Sequence, residues 1–97
     1  MLRTLVLAMA IGLAPAPQYD FETAIGLGLR HLQGLGVPRD HPRALMWFYV
    51  ARSRNAAADA YVRMVEPYLS AQQVNEAQAL AKSCIVDNTA CVLIAER

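Results

Sequence analysis

From Tyr19 onward the apolar positions fall at helical intervals. Phe21, Ala24, Ile25, Leu27, Leu29 and Leu32 predict a first helix with a broad buried face. Asp20 is its expected N-cap, and Glu22 places a negative charge in its first turn. Gly34 and Gly36 are expected to end it, because glycine accepts the left-handed backbone that a helix C-cap needs. Of the apolar residues in the turn, Val37 rather than Leu35 is expected to fold back into the core, and Pro38 stiffens the connection. A second helix is predicted after Asp40, with His41, Pro42 and Arg43 in its first turn, where proline is tolerated. Its inward stripe is Ala44, Trp47, Phe48 and Ala51, and Arg52 and Arg54 suit the negative end of its dipole. Gly28 interrupts the first helix at a cost of about 1 kcal/mol relative to alanine. That cost is tolerated where a second helix crosses closely, and the small Ala44 is the expected point of approach.

The same periodicity continues. Asn55 is a cap for a third helix from Ala56 to Tyr68, with Ala57, Ala60, Tyr61, Met64, Val65 and Tyr68 at helical spacing and Pro67 near its end. Ser70-Ala71-Gln72-Gln73 has the form of a capping box. It opens a fourth helix whose face is Val74, Ala77, Leu80, Ala81 and Cys84. Asp87-Asn88-Thr89 supplies a break and a new cap, leaving Ala90 to Ala95 as a short fifth helix. Ala77-Gln78-Ala79-Leu80 echoes the spacing of Ala44-Leu45-Met46-Trp47 at a distance in the range of helical-repeat proteins.

A chain of 97 residues amounts to one domain. Its formal charge of +1 implies no large polyanionic partner. Apolar residues make up 56%, and part of that excess lies at the N-terminus. Residues 1–17 place Arg3 before an apolar run from Leu5 to Ala14, followed by small residues and prolines. That is the layout of a secretory signal peptide, and the run is shorter than the roughly 20 residues a membrane-spanning helix needs. Cleavage after Ala16 would leave Pro17 behind the cut, and Ala10 and Gly12 are alternative sites. The other reading is an apolar helix that stays and packs on the rest. The expected organisation is a leader over 1–17 and a helical domain over 18–97, periplasmic or secreted.

The ordered set Leu27, Gly28, Gly34, Gly36, Val37, Asp40, Ala44, Trp47 and Phe48 resembles the Sel-one-like repeat, a tetratricopeptide-type helical hairpin. The match covers one repeat, residues 20–54. It departs from the family pattern at His31, where tyrosine is usual, and at Thr23, where a small residue is usual. Residues 55–97 lack the Gly-x-Gly turn and read as a degenerate closing repeat. Leu69 to Leu80 resembles the helix that follows the last repeat in bacterial members. The resemblance implies an all-α, tetratricopeptide-like superhelix of about two hairpins plus a short C-terminal helix. It implies a non-catalytic scaffold for a protein partner, with no cofactor. Some exported members carry paired cysteines at about the spacing of Cys84 and Cys91, which implies a disulfide closing a helix pair. The residues alone leave open two ordinary buried small side chains, since on one continuous helix the pair would lie about 10 Å apart.

No stretch supplies reaction chemistry. His31, His41 and Asp40 share a turn without a known zinc-ligand spacing. Gly26-x-Gly28 and Gly34-x-Gly36 follow no strand, the wrong context for phosphate binding. Arg39, Arg43, Arg52, Arg54 and Arg63 crowd the middle of the chain, but Trp47 and Phe48 belong to the packing stripe and acidic residues nearly balance the charge, so nucleic acid is not the expected partner. The candidate partner-binding face is Glu22, Arg30 and Gln33 of the first helix with Asp59 and Arg63 of the third. Two other readings compete: a hydrolase acting on cell-wall-like substrates or β-lactams, as reported for cysteine-containing relatives, and a homodimer joined through the apolar ends of a short stack.

Overall fold

The computed structural model describes residues 19–96, and the expected leader lies outside them. The described chain is all-helical. It runs α1 (Phe21–Gln33), α2 (His41–Arg54), a 3-10 turn (Ala56–Ala58) leading into α3 (Asp59–Val65), a second 3-10 turn (Glu66–Tyr68), α4 (Ala71–Val86) and α5 (Asn88–Glu96).

The ends of these helices sit where short-range signals put them. The Asp20 carboxylate accepts the Thr23 N–H at 2.8 Å, and Asp40 accepts that of Arg43 at 3.0 Å. Asn55 accepts the Ala57 N–H at 2.9 Å. Ser70 and Gln73 exchange both bonds of a capping box. Gly34 and Gly36 take φ of 72° and 75°, and the N–H groups of Gly34 and Leu35 both return to the Arg30 carbonyl. The Asp40 N–H then donates to the His31 carbonyl at 2.8 Å, closing the turn between α1 and α2. Val37 is half-buried and Leu35 is exposed, as expected of that turn.

α2 is the centre of the molecule. It packs against α1, α3 and α4, while α5 packs against α4. A stripe of four residues was expected on α2, but every residue from Ala44 to Ala51 is buried. Helices on several sides replace the solvent that an amphipathic helix would meet, so Leu45, Met46, Tyr49 and Val50 join Trp47 and Phe48 in the core. The ring of Tyr19 packs on Trp47 with centroids 5.1 Å apart. The close approach at Gly28 is made by the Phe48 ring, not by Ala44: a Cβ on Gly28 would lie 2.6 Å from Phe48 Cδ1.

Two further expectations are corrected. The third helical segment buries Ala58, Val62 and Val65, with Tyr61 half-buried against Phe48, while Ala57 and Ala60 are exposed and Met64 and Tyr68 are 46% and 86% exposed. Ala58, Val62 and Val65 still fall at helical intervals, so the buried face is one helical stripe, shifted by one position from part of the expected one. The dense apolar run at 56–65 fits either phase, and packing on α2 selects this one. The last helix begins at Asn88 rather than Ala90, because Asp87 both ends α4 and accepts the Thr89 N–H at 3.0 Å. That break turns α5 back on α4, and Cys84 and Cys91 are joined in a buried disulfide.

Candidate functional site

The side chains with polar chemistry gather on the flank of α2 that faces α3 and α4. Tyr49 is nearly buried by its position on α2, and its hydroxyl must find a partner there. It donates to Glu66 Oε2 at 2.6 Å. Burial, the bond to Glu66 and the Glu66 charge push the phenol up to about 12, and Gln78 and Arg52 act the other way. One turn along α2, the Arg52 guanidinium lies 4.9 Å from the Tyr49 ring centre and donates to Asp59 Oδ1 at 3.2 Å. Asp59 Oδ2 also pairs with Arg63 at 2.8 Å, across one turn of α3. Asp59 is thus shared between two arginines, one from each helix.

Two grooves flank this network. One, of about 280 Å³, is lined by Arg52, Asp59, Val62, Arg63, Glu66 and Pro67 between α2 and α3. The other, of about 330 Å³, lies between α2 and α4, with Tyr49, Arg52, Ser53, Gln78, Lys82 and Ile85 among its lining residues.

Of the residues expected to form a binding face, Asp59 and Arg63 are brought together. Glu22, Arg30 and Gln33 are exposed on α1, and among the described residues no hydrogen bond or ion pair joins them to the other two. Arg30 instead turns back on its own loop, with Nε 3.5 Å from the Leu35 carbonyl. Sequence reasoning missed Tyr49, Glu66 and Gln78. A tyrosine inside a run of buried apolar residues was the available signal, since its hydroxyl needs a partner, but the partner's position depends on how α3 and α4 dock.

The three serine hydroxyls are engaged with backbone groups. Ser53 Oγ donates to the Val50 carbonyl at 2.6 Å, Ser83 Oγ lies 3.2 Å from the Ala79 carbonyl, and Ser70 caps α4. Both cysteines are in the disulfide. His31 is held below its ordinary pKa by burial and by the Arg43 charge, against the opposing influence of Asp40. Its Nδ1, like Trp47 Nε1, is buried with no hydrogen-bond partner among the described residues. Among the described residues no group of three His, Cys, Asp or Glu side chains is placed to hold a metal ion, and no helix is long and apolar enough to cross a membrane.

Comparison of the chain with protein-family models, curated proteins and solved structures finds no match.

Proposed function

We propose that the chain is a non-catalytic protein-binding scaffold of the Sel-one-like repeat type, working in the periplasm or outside the cell. The observation that carries this reading is the α1–α2 hairpin. Its two left-handed glycines, its closing bond from Asp40 to the His31 carbonyl and the fit of Phe48 over Gly28 give Gly28, Gly34, Gly36, Asp40 and Phe48 of the resembling set a definite job. The Cys84–Cys91 disulfide is compatible with an oxidising compartment, and the apolar run at residues 5–14 supports export. Among the described residues each serine hydroxyl is hydrogen-bonded to backbone and both cysteines are in the disulfide, which weighs against the hydrolase reading.

The test is a cross-linking capture with the full chain as bait, beside a bait reversed in charge at Glu22 and Arg30 and a third reversed at Arg63. A partner held by the native bait and lost by one of the reversed baits supports the scaffold and identifies its face. Turnover of a β-lactam or a cell-wall fragment by the purified protein, at a rate above buffer, overturns it.

A further inference from the structure

We infer that the groove between α2 and α4 is a docking site for a carboxylate-bearing peptide segment, an assignment that rests on the scaffold reading and names the chemistry of its partner. The groove is lined by Arg52, Ser53, Gln78 and Lys82, with Tyr49 and Ala81 buried beneath and Ile85 exposed at one end. No acidic residue lines it. The carboxylates nearest to it along the polar network are already engaged: Asp59 with Arg52 and Arg63, and Glu66 with the Tyr49 hydroxyl. Lys82 has no ion pair among the described residues. Arg52 commits one Nη to Asp59 and is steadied over the Tyr49 ring, which leaves most of its N–H donors for a second acceptor.

In a chain whose charges nearly cancel, this groove therefore has two cations and an amide, with the Asp59 carboxylate that pairs with Arg52 lying outside its lining. The exposed aliphatic side chain of Ile85 lies beside the two cations. A carboxylate next to an aliphatic side chain matches both features: the acid between Arg52 and Lys82, the aliphatic group on Ile85. Helix polarity narrows the anion further. Arg52 and Ser53 stand in the last turn of α2, and Lys82 and Ile85 near the end of α4. The carbonyl ends of both helices thus bring partial negative charge close to the groove. That field opposes any anion, a phosphate dianion more than a singly charged carboxylate, so attraction to the groove comes from the Arg52 and Lys82 side chains.

The experiment is fluorescence anisotropy of the full chain with a labelled, end-blocked six-residue peptide alternating glutamate and leucine. The same peptide with glutamine in place of glutamate, and one carrying phosphotyrosine in place of one glutamate, serve as comparisons. The expected result is binding of the glutamate peptide that weakens with added salt and falls by about tenfold or more in Lys82→Glu. Lys82 is exposed, so this variant keeps the fold, and Arg52→Lys should weaken binding in the same direction. Arg39→Glu, at an exposed position in the turn between α1 and α2, should leave affinity unchanged. No binding of the glutamate peptide at low salt, equal binding of the glutamine peptide, or affinity indifferent to Lys82→Glu overturns the assignment. Tighter binding of the phosphotyrosine peptide overturns the choice of carboxylate. If these fail while a captured partner is still lost on charge reversal at Glu22, Arg30 or Arg63, the scaffold stands and only the groove falls.

Discussion

Arg43, in the first turn of α2, donates from Nη1 to the carbonyl of Ile94 in α5 at 2.9 Å, across 51 residues of sequence. The last carbonyls of a helix have no partner within it, and an arginine is well suited to supply one. This bond and the disulfide fix the two ends of α5 to different elements. Arg43→Gln should cost about 1–2 kcal/mol, with amide exchange accelerated in α5 and little changed in α1. Acceleration spread evenly over all helices would show instead that Arg43 acts through the α2 cap.

Gly28 and Gly26 lie two positions apart on α1 and should respond oppositely to alanine. At Gly28 a methyl group would strike the Phe48 ring, while at Gly26 nothing lies within 4 Å. Gly28→Ala should destabilise by about 1–3 kcal/mol through overpacking, even though alanine is the better helix former. Gly26→Ala should stabilise by about 0.5–1 kcal/mol. Denaturant unfolding of the two variants checks both signs, and Phe48→Leu should recover part of the Gly28→Ala loss.

The disulfide closes a short loop, so its removal should be felt as a modest loss of stability. Replacing Cys84 and Cys91 together by alanine should cost about 2–3 kcal/mol on the loop-closure estimate. The native protein should lose a similar amount in reductant, and the double variant should be indifferent to it. Thermal unfolding with and without reductant measures the difference. An unchanged melting temperature in the native protein would show that α5 is held by Arg43 and packing alone.

His31 gives stability a dependence on pH. Burial keeps its folded-state pKa below the ordinary 6.5, so the unfolded chain takes up the proton more readily. The stabilisation is complete above about pH 6.5 and declines as the pH falls through the folded-state value. Melting temperatures measured from about pH 7.5 to 5 should therefore fall for the native protein and fall less for His31→Gln. Parallel curves would assign the decline to other groups.

The parts of this fold that were legible in the sequence are those decided within about five residues. The caps at Asp20, Asp40, Asn55 and Ser70, the glycine pair and the break at Asp87 are local bargains between a side chain and its neighbouring backbone, and each formed as read. The inward face of α3 was partly misread because its dense apolar run fits a helical stripe in more than one phase, and packing on α2 decides which phase is buried. Tyr49 and Glu66 could not be paired in advance, since the docking of α3 on α2 decides that contact. The same holds for Phe48 over Gly28: the glycine announced a close approach, but which side chain would use the space was a matter of crossing geometry.

The unbroken burial of Ala44 to Ala51 makes α2 a hub, with α1, α3 and α4 as spokes. In such a layout the spokes depend on the hub more than on one another. Substitutions accepted over generations should therefore be sparse and volume-preserving along α2, yet almost unconstrained on the outer surfaces of the spokes. Descendants of this chain would diverge into proteins alike only along one helix, each free to present a different exterior.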